Sequence, residues 1–141
     1  MWPRRLCIII GVTLVAAGFA YHAARQPMDF RVYHYGVRGF FDGTRPMYGP
    51  TSGLGWPMHY RYPPLFMLLF APLAALPLGV SAAIWVVLKI AALAWLVNAA
   101  RQRMRSGEHT EEWVVPLLLA GAYVVEDFRY GNAQFFIFAL V

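Results

Sequence analysis

Met28–Leu65 reads MDFRVYHYGVRGFFDGTRPMYGPTSGLGWPMHYRYPPL, a long polar and aromatic stretch between two apolar runs of membrane grade. Its first acid, Asp29, stands next to the end of the first apolar run, and it closes on Tyr62-Pro63-Pro64 at the head of the second. Any chemistry in the chain is expected here. Phe30, Tyr33, Val37, Phe40 and Phe41 recur at helical spacing, while Arg31, His34, Arg38 and Asp42 fall largely elsewhere. The pattern predicts an amphipathic helix in the membrane interface, with its aromatic face in the lipid. Asp29 is expected at its N-cap, accepting backbone N–H bonds at the positive end of the helix dipole, and Gly43 is expected to stop it. Residues Pro46 to Pro57, with Gly49, Pro50, Gly53 and Gly55, lack periodicity and read as a loop. Gly53-Leu54-Gly55 is no nucleotide loop, since the flanking strand, third glycine and lysine are missing.

Working outward, Trp2-Pro3-Arg4-Arg5 forms a basic flank before an apolar stretch, residues 6–24, about long enough to span a bilayer. This predicts a first membrane helix with a cytoplasmic N-terminus; the competing reading is a signal peptide, with small residues around Gly18-Phe19-Ala20 for cleavage. Residues 28–62 then form an exoplasmic loop. Residues 63–141 are expected to hold further membrane helices, at about Pro64 to Leu76 and Ser81 to Ala99, joined at Leu76-Pro77-Leu78-Gly79. A polar run from Arg101 to Glu112, an apolar run from Trp113 to Val125 and a polar collar, Glu126-Asp127-Phe128-Arg129-Tyr130, precede a last helix starting near Gly131. That helix has barely begun at Val141, so the chain reads as the N-terminal part of one longer domain.

With 60% hydrophobic and 13% charged residues over 141 positions, the composition departs from that of soluble domains, which carry about 25% charged residues. The expected fold class is all-α, a polytopic transmembrane helical protein of the cell membrane. The formal net charge is +5, but the arginines gather at the edges of apolar runs. That arrangement suits anionic headgroups or phosphates and argues against nucleic acid. The single cysteine, Cys7, permits no internal disulfide. If 6–24, 64–76 and 81–99 all cross, the arginines of 101–105 lie outside, against the positive-inside tendency. A segment 63–78 that dips in and returns puts them in the cytoplasm and 126–134 on the same outer side as Asp29.

Asp29, Gly43 followed by Pro46 and Tyr48, Tyr62-Pro63-Pro64, Pro72-Leu73-Ala74 ending at Leu76-Pro77, Trp85, and Gly131-Asn132-Ala133-Gln134 occur in an order that resembles a known family. These are the membrane glycosyltransferases of the C superfold, and within them family 87, which includes polyprenyl-phosphate-mannose-dependent mannosyltransferases. The similarity runs from Met28 to the end and corresponds to about the first third of such an enzyme. It implies transfer of a hexose, mannose foremost, from a polyprenyl-phosphate-sugar donor to a lipid or glycan acceptor at the outer membrane face. It assigns the general base to the first-loop acid, Asp29, and marks Gly131, Asn132 and Gln134 as a shared motif. The truncated chain alone is expected to be inactive.

On their own terms, the residues fit that chemistry alongside plainer roles. A sugar leaving a lipid phosphate needs a base for the acceptor proton, cations for the phosphate and exclusion of water. Asp29 is the candidate base, or only a helix cap. Arg31, Arg38, Arg45 and Arg61 supply guanidinium forks for phosphate or for headgroups. Arg61, flanked by Tyr60 and Tyr62 at the membrane mouth, is the strongest of them, with Tyr62 beside it as a substrate contact. His59 and Trp56 read as aromatic belt. Lys89 lies in an apolar run where a charge costs roughly 2.5 to 3.5 kcal/mol. It is expected to meet a phosphate or an acid on a helix beyond this chain, or else to snorkel. Asn132 and Gln134 serve substrate contact or interhelical hydrogen bonding. His22, His34, His59 and His109 show no metal spacing, so neither metal nor cofactor is implied. The rival class is a non-enzymatic membrane module, either a transporter piece or a lipid- or protein-binding scaffold; an inactive remnant is a third reading.

Overall fold

The structure, a computed structural model, describes residues 2–25, 28–105, 114–134 and 136. Its helices are α1 (Trp2–Arg25), α2 (Asp29–Phe41), α3 (Pro64–Ala74), α4 (Leu78–Arg105) and α5 (Val114–Tyr130), and no strand occurs among the described residues. The all-α expectation holds. Part of the polar run, 106–112, the first residue of the apolar run after it, 113, and part of the final helix, 135 and 137–141, lie outside the described residues. The chain divides into two compact units, Met1–Val86 and Val87–Val141, each described here by itself.

Two helices, over Arg5–Arg25 and Leu78–Gln102, are long and apolar enough to cross a membrane. On α1, Leu6, Ile8, Ile9 and Leu14 are exposed, an outer face that suits hydrocarbon better than water. The α3 helix opens with Pro64 at its first position, where a missing N–H costs nothing, and is only 11 residues long. At about 1.5 Å per residue it falls well short of the roughly 30 Å hydrocarbon thickness. Pro77 separates it from α4, and the Ser81 N–H bonds to the Pro77 carbonyl in the first turn of that helix.

The first unit is built on α2 packed against α3. Phe30 lies 5.8 Å from the Phe70 ring, 6.1 Å from Trp85 and 6.1 Å from Phe19 of α1. One turn on, Tyr33 meets Phe66 at 5.1 Å and Phe70 at 5.8 Å, most of these pairs edge to face, as the ring quadrupoles favour. The predicted helix is therefore present, but its aromatic face lies in protein and not in lipid. Phe30, Tyr33 and Val37 are fully buried, and Phe41 is the ring left outside. Periodicity identified the apolar face; α3 and Trp85 cover it.

The helix also starts one residue earlier than the capping expectation requires. Met28, extended at φ −151° and ψ 163°, is the N-cap and makes no side-chain cap bond. Its buried side chain holds the chain at the entry to α2 and places Asp29 inside the first turn. An acid there still meets the positive end of the dipole. At the other end Gly43, with φ +68°, takes the left-handed turn after Phe41 and Asp42, as expected of that glycine.

Burial of His34 gives this unit a pH response. The His34 Nε2 donates to the Leu76 carbonyl at 2.9 Å, tying α2 to the end of α3, and Nδ1 has no partner among the described residues. Desolvation and the charge of Arg38 push its pKa below 6.5, and the Leu76 carbonyl offsets only part of that. The folded chain thus holds His34 neutral while the unfolded chain protonates first as pH falls. Stability should be complete above pH 6.5 and decline below it through the lowered pKa, at most by about 1.4 kcal/mol per pH unit for one proton. Thermal unfolding in micelles between pH 7.5 and pH 5 should show this slope. His34→Gln keeps a donor for Leu76 but cannot titrate, and should flatten it.

Candidate functional site

The residues between α2 and α3 form an ordered platform, although their sequence shows no period. Ser52 is buried and organises it: its Oγ donates to the Gly49 carbonyl at 2.8 Å and accepts from the Tyr60 N–H at 2.9 Å. The Leu54 N–H bonds to the Met58 carbonyl at 2.9 Å, closing the tip around the cis Trp56–Pro57 bond. Close approach to α2 is possible because Gly36 has no side chain. A Cβ there would stand 2.9 Å from the Ser52 carbonyl oxygen and 3.0 Å from the Tyr60 ring.

Asp29 is half-buried in the first turn of α2. Four residues on, and so on the same helix face, the Tyr33 hydroxyl meets the Tyr62 hydroxyl at 2.6 Å, with their rings at 4.7 Å. The Tyr48 hydroxyl donates to the Tyr62 carbonyl at 3.0 Å, so Tyr62 is fixed from both sides. Arg61 is exposed, and its Nε donates to His59 Nε2 at 3.0 Å. His59 in turn stacks on Trp56, with ring centroids 5.3 Å apart and planes 13° apart. Tyr60 is 1% exposed, and its hydroxyl has no partner among the described residues. Burial, reinforced by Tyr48 and Tyr62, pushes its pKa far above the usual 10, so the hydroxyl stays protonated and able to donate. A cavity of about 260 Å³ opens among Tyr48, Pro50, Trp56, His59, Tyr60 and Arg61.

The other predicted residues belong to the second unit. Lys89 is fully buried, and its Nζ reaches Asp127 Oδ2 at 2.5 Å and the Asp127 carbonyl at 2.7 Å, with the Phe128 ring centroid at 5.1 Å. The acid expected on a helix beyond this chain is thus Asp127 of α5. The Glu126–Tyr130 collar likewise proves to be the last turn of that helix. Gly131, at φ +69°, ends α5: its N–H bonds to the Phe128 carbonyl at 3.3 Å and the Asn132 N–H to the Asp127 carbonyl at 3.0 Å. This pairing is a Schellman cap, and Lys89 adds a cation to the same carbonyl at the negative end of the helix. The Asn132 Oδ1 then accepts from the Gln134 N–H at 3.2 Å, and the Tyr123 hydroxyl bonds to Gln134 Oε1.

Tyr62 and Arg61 therefore share one platform, Asp29 stands one helical turn before Tyr33, which contacts Tyr62, and Lys89, Asn132 and Gln134 share the end of α5. Sequence reasoning gave no role to Asp127, Ser52 or Tyr48, although Tyr48 stands among the residues of the family resemblance and Asp127 in the polar collar. A buried lysine does demand an anion, but five acids follow Lys89 and nothing in their spacing selects Asp127. Ser52 and Tyr48 act through loop contacts that leave no periodic trace. Among the described residues no group of three or more His, Cys, Asp and Glu gathers as a metal site would.

The model of glycosyltransferase family 87 matches residues 60–141, more than half of the chain. The chain belongs to glycosyltransferase family 87. No curated protein and no solved structure matches it. Membership establishes glycosyl transfer, with a sugar donor and an acceptor, as the general activity, and agrees with the two membrane-length helices. The match takes in Arg61, Tyr62, Lys89 and the Gly131–Gln134 turn, and it begins after Asp29 and most of the platform.

Proposed function

We propose that the chain acts in a multi-pass membrane glycosyltransferase that moves a hexose, mannose foremost, from a polyprenyl-phosphate donor to a lipid or glycan acceptor at the outer face. The observation that carries this reading is the family match over residues 60–141, which favours group transfer over transport or scaffolding. Membrane-length helices flanking an aromatic platform suit a donor whose lipid stays in the bilayer while its sugar is handled at the surface.

The step is a direct displacement at the anomeric carbon. An acceptor hydroxyl oxygen forms the new glycosidic bond, the bond from that carbon to the phosphate oxygen breaks, and the electron pair leaves on polyprenyl phosphate. Asp29 takes the hydroxyl proton. Arg61, exposed at the platform edge, and Tyr62, held by Tyr33 and Tyr48, contact the substrates. Asn132 and Gln134 are assigned to substrate contact at the turn after α5. The phosphate is already joined to its lipid, so guanidinium groups supply the charge that steadies it.

Donor substitution tests the reading. Membranes from cells expressing the protein should pass label from polyprenyl-phosphate hexose to acceptor, and should not do so from a nucleotide sugar once the lipid carrier is removed. Transfer that proceeds from the nucleotide sugar alone would remove the lipid-linked donor from the mechanism.

A further inference from the structure

The platform presents more recognition chemistry than phosphate binding uses. Trp56 is 75% exposed, yet one of its faces is occupied by His59, so the indole stands as a fixed plate with its other face open. The open face is apolar and carries the negative lobe of the ring quadrupole. Because Arg61 Nε–H donates to His59 Nε2, that nitrogen is the acceptor and the neutral ring carries its proton on Nδ1. This N–H and the Tyr60 hydroxyl are both buried without partners among the described residues, which is costly unless something completes them. Trp56, His59 and Tyr60 all line one cavity of about 260 Å³ with an almost wholly apolar wall, and the two unsatisfied atoms lie beneath that wall. Sites for drug-sized ligands run from roughly 300 to 1,000 Å³, so this one holds a single ring and not a lipid chain.

A pyranose ring has the matching form, with a face of C–H groups and a rim of hydroxyls that both donate and accept. A bare phosphate would find one arginine, already tethered to His59, and a mostly apolar wall. We propose that the cavity bounded by Tyr48, Trp56, His59, Tyr60 and Arg61 is a hexopyranose subsite. The sugar's C–H face lies on Trp56, and its hydroxyls complete His59 Nδ1–H, the Tyr60 hydroxyl and the guanidinium of Arg61. Both donor atoms are buried, so the sugar reaches them only as the side chains over them rotate aside, while the indole keeps its stack on His59. The assignment rests on the chain being a hexosyltransferase and adds where a sugar is held.

The test is a titration of the full chain in micelles with methyl glucopyranoside, mannopyranoside and galactopyranoside, read by tryptophan fluorescence and saturation-transfer NMR. At least one hexoside should saturate. Trp56→Ala, at an exposed position, should weaken it tenfold or more with unchanged helical circular dichroism, and Tyr60→Phe should weaken it several-fold. Competition assigns the source: an acceptor sugar is displaced by free hexosides alone, a donor sugar by polyprenyl-phosphate hexose as well. Absence of saturation by every hexoside, unchanged binding in Trp56→Ala, or full displacement by inorganic phosphate would overturn the subsite. Transfer activity is read separately. Transfer by a chain that saturates with no hexoside removes the subsite and spares the enzyme, whereas Trp56-dependent binding without any transfer in membranes of the expressing cells removes the enzyme reading and spares the subsite.

Discussion

Replacing Lys89 by Met is expected to destabilise the second unit by about 3–5 kcal/mol, the range for breaking one half of a buried ion pair. Lys89 and Asp127 side chains are 0% and 1% exposed, so the carboxylate left behind could reach no water. It would also lose the bond at its carbonyl, where Lys89 and the Asn132 N–H now converge. The double variant Lys89→Met with Asp127→Leu should return to within about 1 kcal/mol of the natural chain, since apolar pairs of similar size often replace buried ion pairs without loss. Unfolding of all four proteins in mixed micelles gives the cycle directly. Its activity arm decides what Lys89 is for. A stable double variant that still transfers sugar identifies Lys89 as a tie between α4 and α5. A stable double variant that fails to transfer returns Lys89 to the substrate's phosphate.

That question arises because sequence reasoning sees a buried charge but not its partner. Lys89 stood out by its place in an apolar run, where insertion cost alone marks it as unusual. Asp127 is 38 residues away and shares no local pattern with it. The α2 helix shows the same limit in another form. The spacing of Phe30, Tyr33 and Val37 defined a helix and its apolar face, because a side-chain period is a local property. What covers that face is not local, and lipid was inferred where Phe66, Phe70 and Trp85 are found. The proline after α3 and the length of the runs behind α1 and α4 were legible for the opposite reason: ring closure and span length act within a few turns of chain.

In the platform the gap was wider. Gly53 and Ser52 look like ordinary turn residues in the sequence, and Gly36 like a small residue within the predicted helix. In the fold, the absence of a Cβ at Gly36 lets Ser52 and Tyr60 close on α2, and a Cβ on Gly53 would stand 2.6 Å from the Met58 carbonyl. Arg61 and Tyr62 were legible from their place at the mouth of an apolar run. Trp56 and His59 were assigned to the interfacial belt, which aromatic composition near a membrane always invites; their stacking depends on a turn that composition does not encode.

The largest effect on activity is expected at Asp29. Asp29→Asn preserves the shape of the side chain and removes its ability to take a proton, so transfer should fall by roughly 10²- to 10⁴-fold, the usual range for a positioned general base. The loss should appear in kcat with KM little changed, because the proton moves only in the transition state. Folding should change little: an acid in the first turn contributes about 0.3–1 kcal/mol through the helix dipole. The plain alternative, an acid that only complements the dipole, predicts the reverse pattern, with a small drop in the unfolding midpoint and unchanged kcat. Asp29→Glu separates the two further. It keeps the charge and so satisfies the dipole, but it moves the carboxylate by one methylene. A base placed by the first turn of α2 should then lose most of its rate while stability is retained. Full activity in either variant would remove Asp29 from the chemistry and leave the proton to another group of the enzyme.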